Sequence, residues 1–162
     1  MRKLTILLAI VLALLLGFAG WFYLGGTLRS EVAVQSARAA DYPEAFGAIR
    51  SLVTVGAAPQ VLGGSALSED PSPYTLIDIN VTLTNRGLFP AEWISVNVEG
   101  GVGDVAVYSI TGEGSTVAGR STGTVNVKLV SLAALPVART YRIQYYVYGM
   151  KRSVTVRETP DN

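Results

Sequence analysis

The sequence has no cysteine and no histidine. Those two absences remove much chemistry at once. Without cysteine there is no disulfide framework, so whatever folds here must be held by its apolar core. Without either residue, Cys/His zinc sites, Ser-His-Asp triads and Cys-His pairs are excluded. A Ser-Lys or paired-carboxylate mechanism survives composition, but no spacing in the chain points to one. Asp78 and Asp104 are the acids nearest to an oxygen-ligand cation site, and the repeated Asp spacing that such a site needs is missing. No catalytic residue, cofactor or metal ligand is therefore assigned, and an enzyme is not expected.

Charge is scarce too, at 15% of residues, with 13 basic against 12 acidic side chains. Arg2 and Lys3 sit at the extreme N-terminus, so the rest of the chain is close to neutral. A nucleic-acid surface needs concentrated positive charge, and none is expected here. Gly100-Gly101-Val102-Gly103 lacks the Lys-Ser/Thr of a phosphate-binding loop and reads as an interstrand connection.

What the chain has in quantity is apolar surface, and it is concentrated at the start. Leu4 to Leu24 runs for 21 residues without a charge. A helix rising about 1.5 Å per residue makes that stretch long enough for a hydrocarbon core of about 30 Å. A helix also satisfies its own peptide groups in lipid. Arg2 and Lys3 are expected to stay on the cytoplasmic side, which puts the C-terminal domain outside. Trp21, Phe22 and Tyr23 fall at the far headgroup boundary, where aromatic rings are favoured. The expected setting is thus a single-pass cell-membrane protein, with the bilayer as the partner of residues 4–24. The alternative is secretion after signal-peptide cleavage behind Gly17-Phe18-Ala19. The apolar run continues past that point to Leu24, which favours retention. A pilin-like helix continuing into the domain is opposed by Gly25-Gly26.

The remainder divides by composition. Residues 1–26 are the cytoplasmic tip and anchor, and 27–42 a juxtamembrane spacer with helical tendency. Residues 43–73 are a short helix followed by a Gly/Ala/Pro-rich loop, and 74–162 a β-domain. In the short helix Asp41 is expected to cap, Pro43 suits the first turn, and Glu44 suits the positive end of the dipole. Ala45, Phe46, Ile49, Leu52 and Val53 then recur at helical spacing. Pro59 to Leu62 reads as a short edge strand.

From Tyr74 the period becomes two. Ile77, Ile79, Val81 and Leu83 alternate with Asp78, Asn80, Thr82 and Thr84, as on a half-buried strand. Similar alternation places Ile94, Val96 and Val98 opposite Trp93, Ser95 and Asn97. It also places Val125, Val127 and Leu129 opposite Thr124, Asn126 and Lys128. Tyr141, Ile143, Tyr145 and Val147 share one face, and Arg142, Gln144, Tyr146 and Tyr148 the other. Further strands are expected at 104–111, at 116–119 and at 151–158, with Gly149-Met150 at a hairpin turn. About seven short strands separated by turns indicate an immunoglobulin-like β-sandwich. The fold class is mainly β, preceded by a transmembrane helix and a short amphipathic helix.

Ile79-Asn-Val-Thr-Leu-Thr-Asn-Arg-Gly-Leu-Phe-Pro-Ala-Glu-Trp93 resembles the strand–Asn–Gly/Pro–strand opening of Ig-like cell-surface modules. It is also similar to the water-stress (late-embryogenesis-abundant type 2) domain, in which a strand ending in Asn precedes a Pro. Gly119 to Leu129 resembles the polar turn and strand that follow in both. The likeness covers Tyr74 to Val130, and it implies a binding or structural role without any catalytic residue.

Trp93, Arg142, Tyr146 and Tyr148 are the candidate partner-binding residues, because aromatics and Arg are enriched at protein interfaces. The competing expectation buries Trp93 in the core and covers the tyrosines with the 41–55 helix. Asn80-Val81-Thr82 matches a glycosylation acceptor, though it lies in mid-strand. The function expected is a non-enzymatic, membrane-anchored interaction module or accessory subunit with a protein partner at the cell envelope. The alternative is a structural component of a surface filament or envelope layer, pilin-like or archaellum-associated.

Overall fold

The computed structural model describes residues 2–24, 28–63, 66–132 and 137–158. The chain opens with α1 (Arg2–Leu24), whose side chains are described from Leu4 to Gly20. Then follow β1 (Leu28–Arg38), a 3-10 turn (Ala39–Asp41), α2 (Pro43–Thr54) and β2 (Gln60–Val61). The remaining strands are β3 (Tyr74–Asn85), β4 (Glu92–Glu99), β5 (Asp104–Thr111), β6 (Thr122–Leu132), β7 (Arg139–Val147) and β8 (Met150–Glu158). They form a five-stranded sheet, β1-β3-β6-β5-β2, and a three-stranded sheet, β4-β7-β8. All neighbours are antiparallel. Without β2, this is the ABED/CFG strand order of a constant-type immunoglobulin sandwich.

The alternation in the sequence explains the core. Ile79, Val81 and Leu83 of β3 and Val125, Val127 and Leu129 of β6 are fully buried from one sheet. They meet Ile94 and Val98 of β4 and Tyr141, Ile143 and Tyr145 of β7 from the other. Each such side chain contributes about 1.5–3 kcal/mol when withdrawn from water, and this replaces the missing disulfide.

A second cluster lies on the outer face of the large sheet. Phe46 and Ile49 of α2 pack with Ala39, Leu67, Tyr74, Val105 and Val130. The Phe46 and Tyr74 rings are 5.1 Å apart. The helix begins where Pro43 predicts, but Asp41 does not cap it. Asp41 belongs to the 3-10 turn, Tyr42 occupies the cap position, and no side-chain cap bond forms there.

Two further expectations are corrected by the strand pairing. Leu28 to Arg38, expected as part of a spacer with helical tendency, instead pair with β3 along their whole length, from Leu28 opposite Asn85 to Arg38 opposite Thr75. Main-chain pairing to an exposed sheet edge places this strand, so few of its side chains need to be apolar. The expected strand at 116–119 reduces to one bridge, Ala91 with Val117.

Among the described residues, no helix is long and apolar enough to cross a membrane. Every side chain of α1 from Leu4 to Ala19 is exposed.

At the end of the sandwich remote from Leu28, a buried ionic cluster joins the sheets. Arg139 of β7 donates from Nε and a terminal nitrogen to the two carboxylate oxygens of Asp104 on β5, both at 2.8 Å. Asp104 also accepts the Gly101 N–H. Arg139 is 3.5 Å from Glu158 of β8, whose carboxylate accepts the Tyr141 hydroxyl at 2.6 Å. Burial pushes the Tyr141 phenol well above its ordinary value, and the neighbouring Glu158 carboxylate pushes it further. Unfolded tyrosine ionises near pH 10, whereas folded Tyr141 keeps its proton. Its contribution is complete below about pH 10 and is lost as pH climbs toward the raised folded value. Replacing Tyr141 with Phe is expected to flatten the fall in stability between about pH 10 and 12, read by urea denaturation at stepped pH. An unchanged alkaline slope would remove this account.

Candidate interaction surface

The two sheets differ in how their outer faces are closed. On the large sheet α2 covers one end, and a polar ladder occupies the middle. Asn126 there donates to Asn80 and to Asp78, and Lys128 lies 3.5 Å from Asp78. The Asn80 side chain is thus engaged across the strands rather than projecting as a free acceptor. Asp78 and Asp104 are not brought together, since Asp104 turns inward to Arg139.

The outer face of the small sheet presents Ser95, Asn97 and Glu99 from β4, Arg142, Gln144 and Tyr146 from β7, and Lys151, Ser153 and Thr155 from β8. Its register sets Gln144 between Ser95 and Ser153, and Tyr146 between Glu92 and Lys151. α2 packs on the other sheet and does not cover these tyrosines, which settles the competing expectation.

Trp93 is not a core anchor. It is 69% exposed, in keeping with its alternation with Ser95 and Asn97. Its backbone φ is 54°, the left-handed region, and it sits where the β4–β7 register shifts between Glu92 and Ser95. Such a bulge re-aims a side chain, and a bulky residue adopts this φ only against a steric cost. Trp93, Glu92, Tyr146 and Gly149 line one open groove.

Tyr148 and Gly149 make the two-residue turn between paired Val147 and Met150. Both have positive φ, at 54° and 70°, as a type I′ turn requires, although Asn, Asp or Gly is usual where Tyr148 stands. Tyr148 is 50% exposed and its ring lies 4.2 Å from that of Phe89.

The structure therefore gathers three of the four candidate residues, Trp93, Tyr146 and Tyr148, at the β7–β8 hairpin. Arg142 stands apart. It is four residues along β7 from Tyr146, about 13 Å at the strand rise. Its guanidinium is 2.9 Å from Glu99, an exposed pair of small energetic value. It shares a separate polar groove with Gln144, Lys151, Arg152, Ser153 and Thr155. The expected membrane-interface residues Arg2, Lys3, Trp21, Phe22 and Tyr23 lie in α1, and their side chains fall outside the described residues.

Leu88, Arg86 and Arg120 sit on the loops beside Trp93 and Tyr148, where no periodicity in the sequence marks them as functional.

No protein-family model matches the chain, and no curated protein matches it. Among solved structures, the GAE domain of GGA2p from Saccharomyces cerevisiae is 17% identical, covering 54% of this chain and 77% of that one, with a TM-score of 0.43. A Northeast Structural Genomics Consortium target is 13% identical, covering 81% and 85%, with a TM-score of 0.46. A FixG-related protein from Vibrio parahaemolyticus is 10% identical, covering 79% and 93%, with a TM-score of 0.35. The fold rests on the strand order above and not on these likenesses.

Proposed function

We propose that this chain is a non-enzymatic, single-pass membrane protein. Its sandwich stands outside the cytoplasm and binds a protein partner at the cell envelope, as an accessory or interaction module. The anchor is supported by the uncharged run from Leu4 to Leu24 and by the exposure of every described side chain from Leu4 to Ala19. A helix apolar on all sides has no face to give to water.

The observation that carries the binding role is the unequal covering of the two sheets. Among the described residues, no helix packs on the outer face of the small sheet. That face offers Arg142, Gln144 and Tyr146, a mixture of cation, amide and aromatic suited to a polar-rimmed interface.

The filament or envelope-layer alternative has less support. The free edge of β4 is occupied by side chains: the Gln60 amide bonds both the N–H and the carbonyl of Val98, and Glu113 accepts the Val96 N–H. Edges blocked in this way resist strand addition.

The test is a photo-crosslinking residue in place of Gln144 in the full-length chain, in its own membranes. A discrete adduct is expected there and not from the same group at Thr82, on the outer face of the large sheet. The adduct should fall at least five-fold when Arg142→Glu and Tyr146→Ala are added. Equal labelling from both positions, or none from Gln144, would refute the site.

A further inference from the structure

We propose that the end of the sandwich next to α1 is a second membrane contact, a rim of aromatic, aliphatic and cationic side chains resting in the headgroups of an anionic bilayer; this rests on the anchored reading. β1 starts at Leu28, opposite Asn85 at the end of β3, and Thr84 pairs with Thr122 at the start of β6. The Leu28 N–H donates to the Tyr145 hydroxyl, two residues before the β7–β8 turn ends the strand. The 86–91 loop, the 112–121 loop and the hairpin at Tyr148 therefore share the Leu28 end. They are tied together there, with Arg120 N–H bonding Gly87 and the Asn85 amide bonding Phe89 and Val117. Leu24 and Leu28 are four Cα steps apart, at most about 15 Å.

This rim displays aromatic and aliphatic side chains. Leu88, Trp93, Tyr148 and Met150 are exposed, with Phe89 behind Tyr148. Trp93 is the single tryptophan of the chain outside α1. Tryptophan and tyrosine favour the membrane boundary because one end of each ring is apolar and the other polar. Arg86, Arg120 and Lys151 are exposed beside them, and none enters an ion pair among the described residues. Cations at this depth meet anionic headgroups while their stems lie along apolar surface.

Backbone conformation singles out the same rim. Among the described residues, the non-glycine positions with positive φ are Trp93, Arg120 and Tyr148, and all three are on this rim. Unfavourable conformations concentrate where function holds a side chain in place.

Lipid is the occupant that fits. A gap of at most about 15 Å between the domain and the end of α1 is narrower than a folded protein domain, whose radius of gyration alone is about 13 Å at 100 residues. Trp93 and Tyr148 are thus assigned to the bilayer, leaving Arg142 and Tyr146 to the partner face.

The test uses the full-length chain carrying Trp21→Phe, so that Trp93 is the single emitter, reconstituted into phosphatidylcholine vesicles with and without phosphatidylglycerol. With anionic lipid, Trp93 emission is expected to shift to the blue. Lipid brominated near the headgroup should quench it at least two-fold, and deeply brominated lipid less. Changing Arg86, Arg120 and Lys151 together to Gln, or raising salt to about 1 M, should halve that quenching. Emission open to acrylamide and untouched by brominated lipid would overturn the contact. Protection from acrylamide without lipid quenching would also overturn it, pointing to a second copy on the rim. Flotation separates the two readings. A chain that floats with vesicles while Trp93 stays in water loses only the rim contact, whereas a chain that does not float loses the anchor as well.

Discussion

Replacing Asp104 with alanine is expected to destabilise the sandwich by about 3–5 kcal/mol, the usual consequence of leaving one partner of a buried ion pair alone. The Asp104 side chain is 0% exposed and that of Arg139 4%, so water cannot take over the lost carboxylate. Glu158 stands at 3.5 Å, too far to replace two bonds of 2.8 Å. The same change orphans the Gly101 N–H that orders the β4–β5 loop. Both sheets feel the loss, because Asp104 begins β5 and Arg139 begins β7. Urea denaturation of the full-length chain in detergent, followed by far-UV circular dichroism, reads the shift. A paired change, Asp104→Leu with Arg139→Met, removes both charges and is expected to recover most of the stability. A loss under about 1 kcal/mol for Asp104→Ala would mean that the pair is solvated in practice.

That ion pair also shows what a sequence reveals and what it conceals. Arg139 has the same strand parity as Tyr141, Ile143 and Tyr145, all buried. An inward arginine needs a carboxylate, so the need was legible at Arg139 itself. The answer, Asp104, lies 35 residues away in a different sheet, and no local pattern connects the two. β3, β4, β6 and β7 were readable because each has one face in the core and one in water. β1 was not, because its place is set by main-chain bonds to β3, and small polar side chains suffice on an edge. Trp93 was readable as outward-facing from its alternation with Ser95. The bulge and left-handed backbone that lift it out depend on β7, which is remote in sequence. Leu88, Arg86 and Arg120 acquire meaning only when the 86–91 and 112–121 loops are placed beside the hairpin.

Two arginines in the middle of α1, Leu12→Arg with Leu15→Arg, are expected to release the protein from membranes. At the centre of a spanning helix each arginine is unfavourable by about 2.5–3.5 kcal/mol, so the pair opposes insertion by about 5–7 kcal/mol. That is more than a thousand-fold in partition. The sandwich contributes no core contact to α1 among the described residues, so its fold should survive. Alkaline extraction of isolated membranes makes the measurement. The wild-type chain should stay in the pellet, whereas the double variant should appear in the supernatant with its β-sheet circular dichroism intact. If the wild type itself were extracted, the anchor would fall, and the short tether that brings the Leu28 end to the headgroups would have nothing to hold. If the double variant stayed in the pellet, some surface other than α1 would be holding the chain. The Trp93 rim would then be the first place to look, since its attachment should yield to salt and that of a spanning helix should not.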